Sequence, residues 1–96
     1  MREARTMKLG KYKGNDVELC RTTSPRVEEQ TVKALLADSI PFSRASVRIP
    51  FFKREKYNGA SEFFVISTSP RRYSQARRTL DGMDLFYKKR LVLSNY

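Results

Sequence analysis

Four segments of the chain are predicted to be β-strands, and apolar and polar residues alternate along the first two of them. The predicted strands are residues 17–23, 45–51, 62–68 and 85–93. The third of these segments is apolar on both faces. Two other segments, each between two predicted strands, repeat apolar residues every three to four positions, which predicts helices. The pattern therefore predicts strands and helices in the order β-α-β-β-α-β.

Both predicted helices begin at a Ser-Pro pair, Ser24-Pro25 and Ser69-Pro70, which suits the N-cap and the first helical position. Pro41 ends the first helix and Asp81-Gly82 the second. The residues expected to face the core are Val32, Leu35, Leu36 and Ile40 in the first helix and Tyr73, Ala76, Leu80 and Met83 in the second.

An internal repeat supports this arrangement. The sequence Thr-Ser-Pro-Arg starts at Thr23 and again at Thr68, 45 residues later, and the same offset aligns Leu35 with Leu80 and Ile40 with Leu85. Two β-α-β halves predict an α+β fold, the ferredoxin-like plait, over residues 15–96. Right-handed crossovers then place both helices on one face of a four-stranded antiparallel sheet, with the first and third strands in its centre.

The opposite face of this sheet is left open, and alternation places Glu18, Cys20, Phe63 and Val65 on it. An exposed apolar patch on a central strand is typical of an interface, so we expect Phe63 and Val65 to form the face of a homodimer. The alternative is that a terminus of the chain covers the same patch.

The net charge of the chain indicates which kinds of ligand or partner it is suited to bind. The chain of 96 residues carries 20 lysines and arginines against 10 acids, a net charge of +10, and residues 1–14 form a basic N-terminal arm. Such a balance favours anionic ligands or nucleic acid. We expect a cytoplasmic protein without membrane attachment, because the sequence shows neither a secretory signal nor an apolar run long enough to cross a bilayer.

The residues offer little for catalysis. The chain has no histidine and one cysteine, its acids have no metal-ligand spacing, and its four glycines do not form a phosphate-binding loop. We therefore expect no enzyme activity, no metal site and no cofactor. Cys20 is expected to be a small strand residue without reactivity.

Two basic segments are candidate sites. The second helix begins with cations instead of acids, so its N-terminus predicts an anion site that comprises Ser69, Arg71, Arg72, Gln75 and Arg78. The segment between the second and third strands interleaves aromatic and basic residues and predicts a contact with a partner or nucleic acid through Phe52, Lys53, Arg54, Lys56 and Tyr57. For both segments, the alternative is a solvated charged surface.

An RNA-recognition motif has the same order of elements, but here the third strand keeps only a Phe-Val fragment of its aromatic pattern and the first strand has no aromatic residue. Residues 32–41, a leucine-rich helix followed by Ser-Ile-Pro, and residues 63–66, Phe-Phe-Val-Ile, resemble a family of small bacterial signal-transducing proteins. This resemblance implies a ferredoxin-like fold and a regulatory or ligand-sensing role without catalytic residues.

The function expected from the sequence is thus a non-catalytic binding or regulatory module with a basic surface. The alternative is an RNA- or DNA-binding accessory protein that recognises the phosphate backbone. Salt distinguishes the two, because binding through phosphate contacts weakens steeply as ionic strength rises.

Overall fold

The computed structural model describes residues 16–94. Within them the strands and α-helices are, in chain order, β1 Val17–Thr22, α1 Pro25–Ala37, β2 Ser43–Arg48, β3 Glu62–Thr68, α2 Tyr73–Asp81, α3 Leu85–Lys88 and β4 Val92–Leu93. Two 3-10 helices, Phe51–Tyr57 and Pro70–Arg72, come before β3 and α2. The basic arm predicted for residues 1–14 lies outside the described residues, as do Asn95 and Tyr96.

The strands form one antiparallel sheet with the order β2-β3-β1-β4, so the fold is α+β. The central position of the first and third strands confirms the prediction. Helices α1 and α2 pack against β1 and against each other, which places both on the same face of the sheet. On the other face, Tyr57 at the end of the first 3-10 helix contacts Phe63 of β3.

The core lies between the two helices and the central strands. Leu35 of α1 and Leu80 of α2 are fully buried, and they belong to the same cluster as Leu19 and Ile66 of the sheet. Burial of such side chains contributes about 1.5–3 kcal/mol each. The predicted inward stripe of α2 is confirmed, whereas Leu36 of α1, predicted to face the core, is 62% exposed.

A β-bulge in β1 corrects the prediction for Cys20. The pairing with β3 shifts between Glu18 and Cys20, so that one extra residue, Leu19, enters the strand. A bulge breaks the strict alternation of faces. Leu19 and Cys20 therefore both belong to the core cluster, and Cys20 is fully buried instead of lying on the open face.

The two Ser-Pro pairs behave differently. The Ser24 hydroxyl accepts a hydrogen bond from the backbone N–H of Val27 and caps α1. The Ser69 side chain makes no such bond, because Pro70–Arg72 forms a 3-10 turn and α2 begins only at Tyr73. The prediction that α2 begins at Ser69-Pro70 is thus wrong by one turn.

The predicted final strand over residues 85–93 is also wrong. The Asp84 carboxylate accepts a hydrogen bond from the N–H of Phe86 and caps α3, so only Val92–Leu93 is left to pair with β1. Leu85, aligned with Ile40 by the repeat, is 69% exposed while Ile40 is buried. The repeat therefore holds for the helical core positions Leu35 and Leu80 and fails at its last pair.

An ion pair between the buried Glu28 and the half-exposed Arg44 joins α1 to the edge strand β2. Glu28 is 6% exposed, and both of its carboxylate oxygens accept hydrogen bonds from Arg44, at 2.7 Å from Nε and 2.8 Å from Nη2. The carboxylate holds the pKa of Arg44 above its ordinary value. Glu28 thus fixes the position of α1 over β2, in addition to its place in the first turn of the helix.

Candidate ligand-binding cleft

A cleft of about 190 Å³ lies on the open face at the end of the sheet where β1 ends and β3 begins. The left-handed backbone of Asn58 and Gly59 reverses the chain after the 3-10 helix and brings Tyr57 to the first residues of β3. The residues that line the cleft are Arg21, Thr22, Thr23, Lys56, Tyr57, Asn58, Phe63, Arg90 and Val92.

Two aromatic rings and one guanidinium form a stacked layer in the cleft. The rings of Tyr57 and Phe63 are 6.0 Å apart between centroids and 27° from parallel. The guanidinium carbon of Arg21 lies 4.6 Å from the centre of the Phe63 ring, within the range of a cation–π interaction. Phe63 therefore contacts both Tyr57 and Arg21.

The carboxylate of Glu18 holds Arg21 in place. Its two oxygens accept hydrogen bonds from Nε and Nη2 of Arg21, both at 2.7 Å. The hydrogen bond from Arg21 lowers the pKa of Glu18, and the same bond raises the pKa of Arg21. Both groups are charged at neutral pH, so this pair orients the guanidinium but adds no net charge to the cleft.

Lys56 and Arg90 supply the positive charge. Neither side chain forms an ion pair with an acid among residues 16–94. Arg90 is oriented by α3, since its Nη1 donates to the backbone oxygen of Phe86 at 2.6 Å and its guanidinium carbon lies 4.1 Å from the centre of the Phe86 ring. The cleft therefore combines two uncompensated cations with an aromatic stack.

Only part of the predicted partner contact, Phe52 to Tyr57, lies in the cleft. Lys56 and Tyr57 line the cleft, whereas Phe52 is 78% exposed, Lys53 is exposed and neither lines the cleft. Arg54 is turned back onto the chain, where its Nε donates to the backbone oxygen of Ile49 at 3.2 Å. The segment is a 3-10 helix, and no residue of it is buried.

The predicted anion site at α2 lies at the opposite end of the sheet from the cleft, because Thr68 at the end of β3 pairs with Val17 at the start of β1. Arg71, Arg72 and Arg78 are exposed, and Gln75 accepts a hydrogen bond from Arg72 at 3.3 Å. The 3-10 turn places Ser69, Arg71 and Arg72 before the first residue of α2. This site stays a prediction.

The predicted dimer residues Phe63 and Val65 lie on the open face, where they pair with Val47 and Ala45 of β2. Phe63 is half-buried under Tyr57 and Arg21, and Val47 is 41% exposed. The homodimer stays a prediction, and it would use the face that carries the cleft.

Sequence reasoning missed most of the cleft. In a regular strand, Arg21 and Glu18 would lie on opposite faces, and Arg90 was predicted to lie within the last strand. The sequence therefore did not predict that Arg21 or Arg90 lines a site. One signal was present: the Asn58-Gly59 turn predicts a chain reversal that brings Tyr57 back toward Phe63.

Other chemistry in the described part of the chain is limited. Burial raises the pKa of the Cys20 thiol to about 12, so that it is protonated at neutral pH. Among residues 16–94, no three histidine, cysteine, aspartate or glutamate side chains cluster as metal ligands would. None of the helices in this range is long and apolar enough to cross a membrane.

Comparison with known proteins finds no family model, no curated protein and no solved structure that matches this chain significantly. The resemblance to the signal-transducing family stays an expectation drawn from residues 32–41 and 63–66.

Proposed function

We propose that this protein is a non-catalytic binding module that holds an anionic ligand in the cleft on its open sheet face. The observation that carries the proposal is a pair of cations, Lys56 and Arg90, that have no acidic partner within residues 16–94 and lie beside the stack of Tyr57 and Phe63. Cations in a concave surface attract anions more strongly than cations on a convex one, because low-dielectric walls focus the field.

We also propose that the fold is a ferredoxin-like plait. The order β2-β3-β1-β4 supports this, because β3 lies between β1 and β2 and β1 lies between β3 and β4, as two split β-α-β units require. Both long helices share one face of the sheet. Helix α3 and the two-residue β4 are departures at the last unit.

The absence of catalysis rests on the chemistry of the available groups. The sequence contains no histidine, and the Cys20 thiol is buried and protonated, so it is a poor nucleophile. Glu18, the carboxylate beside the cleft, has its pKa lowered by Arg21, which makes it a weak base. A regulatory role, which the family resemblance implies, and a cytoplasmic location are part of the same proposal.

Amide chemical-shift mapping tests the binding site. The ¹⁵N-labelled full chain is titrated with inorganic phosphate and with adenosine monophosphate. We expect the shifts to concentrate at the backbone amides of Thr23, Asn58 and Arg90, which belong to the cleft. A Lys56→Ala variant should weaken binding, whereas Lys33→Ala, an exposed cation on α1, serves as the matched control.

The same titration separates the two candidate anion sites. Shifts at Arg72 and Gln75 with none at Thr23 or Asn58 would move the site to the start of α2. Shifts spread evenly over all exposed basic residues, or none at saturating phosphate and nucleotide, would refute the cleft as a ligand site.

A further inference from the structure

The cleft is too small to enclose a complete small-molecule ligand. Ligand pockets usually measure about 300–1,000 Å³, whereas this cleft measures about 190 Å³. Its wall is formed by the open sheet face, where Val92 and Val47 are 61% and 41% exposed. A cleft of this size beside an open surface suits one unit of a longer chain molecule, with its neighbours lying outside on the sheet.

The stacked layer indicates what that unit is. The layer consists of three flat groups with π electrons, the rings of Tyr57 and Phe63 and the guanidinium of Arg21, in contact with one another. Planar bases stack on tyrosine rings and on arginine guanidinium planes. The two hydrogen bonds that Arg21 donates to the Glu18 carboxylate fix the plane of the guanidinium before any ligand binds. A preorganised stacking group loses less conformational entropy on binding than a free side chain.

The charges beside the layer are placed for a phosphate backbone. Lys56 lies on the loop side of the cleft and Arg90 on the side of β4, and neither forms an ion pair among residues 16–94. Thr22, Thr23 and Asn58 add neutral hydrogen-bonding groups to the same lining. Stacking groups, flanking cations and neutral polar groups are the three components that bind an unpaired nucleotide.

We infer that the ligand of this cleft is single-stranded nucleic acid, with one base stacked against Tyr57 and Arg21 and the flanking phosphates bound by Lys56 and Arg90. This inference rests on the proposed binding function of the same cleft. A duplex does not fit, because its base faces are already stacked on one another and only unpaired bases can enter a stacking site.

The test is fluorescence anisotropy with the full chain and labelled oligonucleotides of about eight nucleotides, as RNA and as DNA, against a duplex of equal charge. Tyr57→Ala should weaken single-strand binding roughly 5- to 150-fold, the range for loss of one stacked base. Phe51→Ala is the matched control, because Phe51 lies in the same 3-10 helix, is 82% exposed and does not line the cleft.

Salt dependence tests the phosphate contacts. The logarithm of the binding constant should fall with the logarithm of the salt concentration, and each cleft cation contributes about −0.7 to that slope for a single strand. Lys56→Ala and Arg90→Ala should each reduce the slope by about that amount. Lys33→Ala should leave the slope unchanged. Lys56→Glu is a second variant of the site, and it does not disturb the core because Lys56 is exposed.

The outcomes distinguish this inference from the proposed function. Equal affinity for single strand and duplex, or equal loss in Tyr57→Ala and Phe51→Ala, would overturn the single-strand inference. If phosphate and adenosine monophosphate shift the amides of the cleft but no oligonucleotide binds there, the proposed anion site is supported and the inference of a nucleic-acid ligand is refuted. A stronger response to RNA than to DNA would identify the 2′-hydroxyl as a contact.

Discussion

Labelling of the single thiol, Cys20, tests the bulge that sets the faces of β1. If the strand alternated regularly, Cys20 would lie on the open face and react with a thiol reagent as a surface residue does. The bulge places it in the core, where burial raises its pKa to about 12. Compared with an ordinary thiol of pKa about 8.5, the thiolate fraction at neutral pH falls by about three orders of magnitude.

Labelling through transient opening is slow as well. A domain stability of about 5 kcal/mol, the lower end of the usual range, limits this route to roughly 1/4,000 of the rate in the unfolded chain. We therefore expect a reagent such as dithiobis-nitrobenzoate to label native Cys20 about 1,000-fold more slowly than the same chain unfolded in guanidinium.

The control is the double variant Cys20→Ala/Val92→Cys, because Val92 is 61% exposed and lies on the open face. Its new thiol should react at close to the unfolded rate. Native Cys20 that reacts within about tenfold of the unfolded rate would refute the bulge and the burial together.

Three further predictions follow from other parts of the structure. Arg44→Ala should destabilise the fold by about 1–3 kcal/mol in urea unfolding, because it leaves the buried Glu28 carboxylate unpaired; a change below about 0.5 kcal/mol would show that the pair contributes nothing. An Arg71→Ala/Arg72→Ala variant should keep the phosphate-induced amide shifts of the cleft at Thr23 and Asn58, and loss of those shifts in this variant would place the anion site at the start of α2 instead. The homodimer expected through Phe63 should sediment at twice the mass of the 11.2 kDa chain and dissociate when an oligonucleotide binds, since both use one face; a monomer at high concentration contradicts it.

Periodicity in the sequence determined the central features of the fold. The apolar stripes that contain Leu35 and Leu80 predict two helices with a common core, and the alternation in residues 17–23 and the apolar run in 62–68 predict the two strands beneath them. These predictions succeed because burial of an apolar face is a property of the local pattern and dominates the free energy of folding.

The candidate cleft depended on features that no local pattern contains. The bulge at Leu19 arises from pairing with β3, and it alone places Glu18 and Arg21 on the same face of the sheet. Arg90 reaches the cleft because Asp84 caps α3 and shortens the last strand to Val92–Leu93.

The physical reason is the difference between burial and pairing. Burial depends on the spacing of apolar residues along one segment, so the sequence by itself determined most of the core-facing residues of α1 and the inward stripe of α2. Strand register, the bulge and the contact of Arg21 with Phe63 depend on partners distant in the chain, and only the tertiary structure decides them.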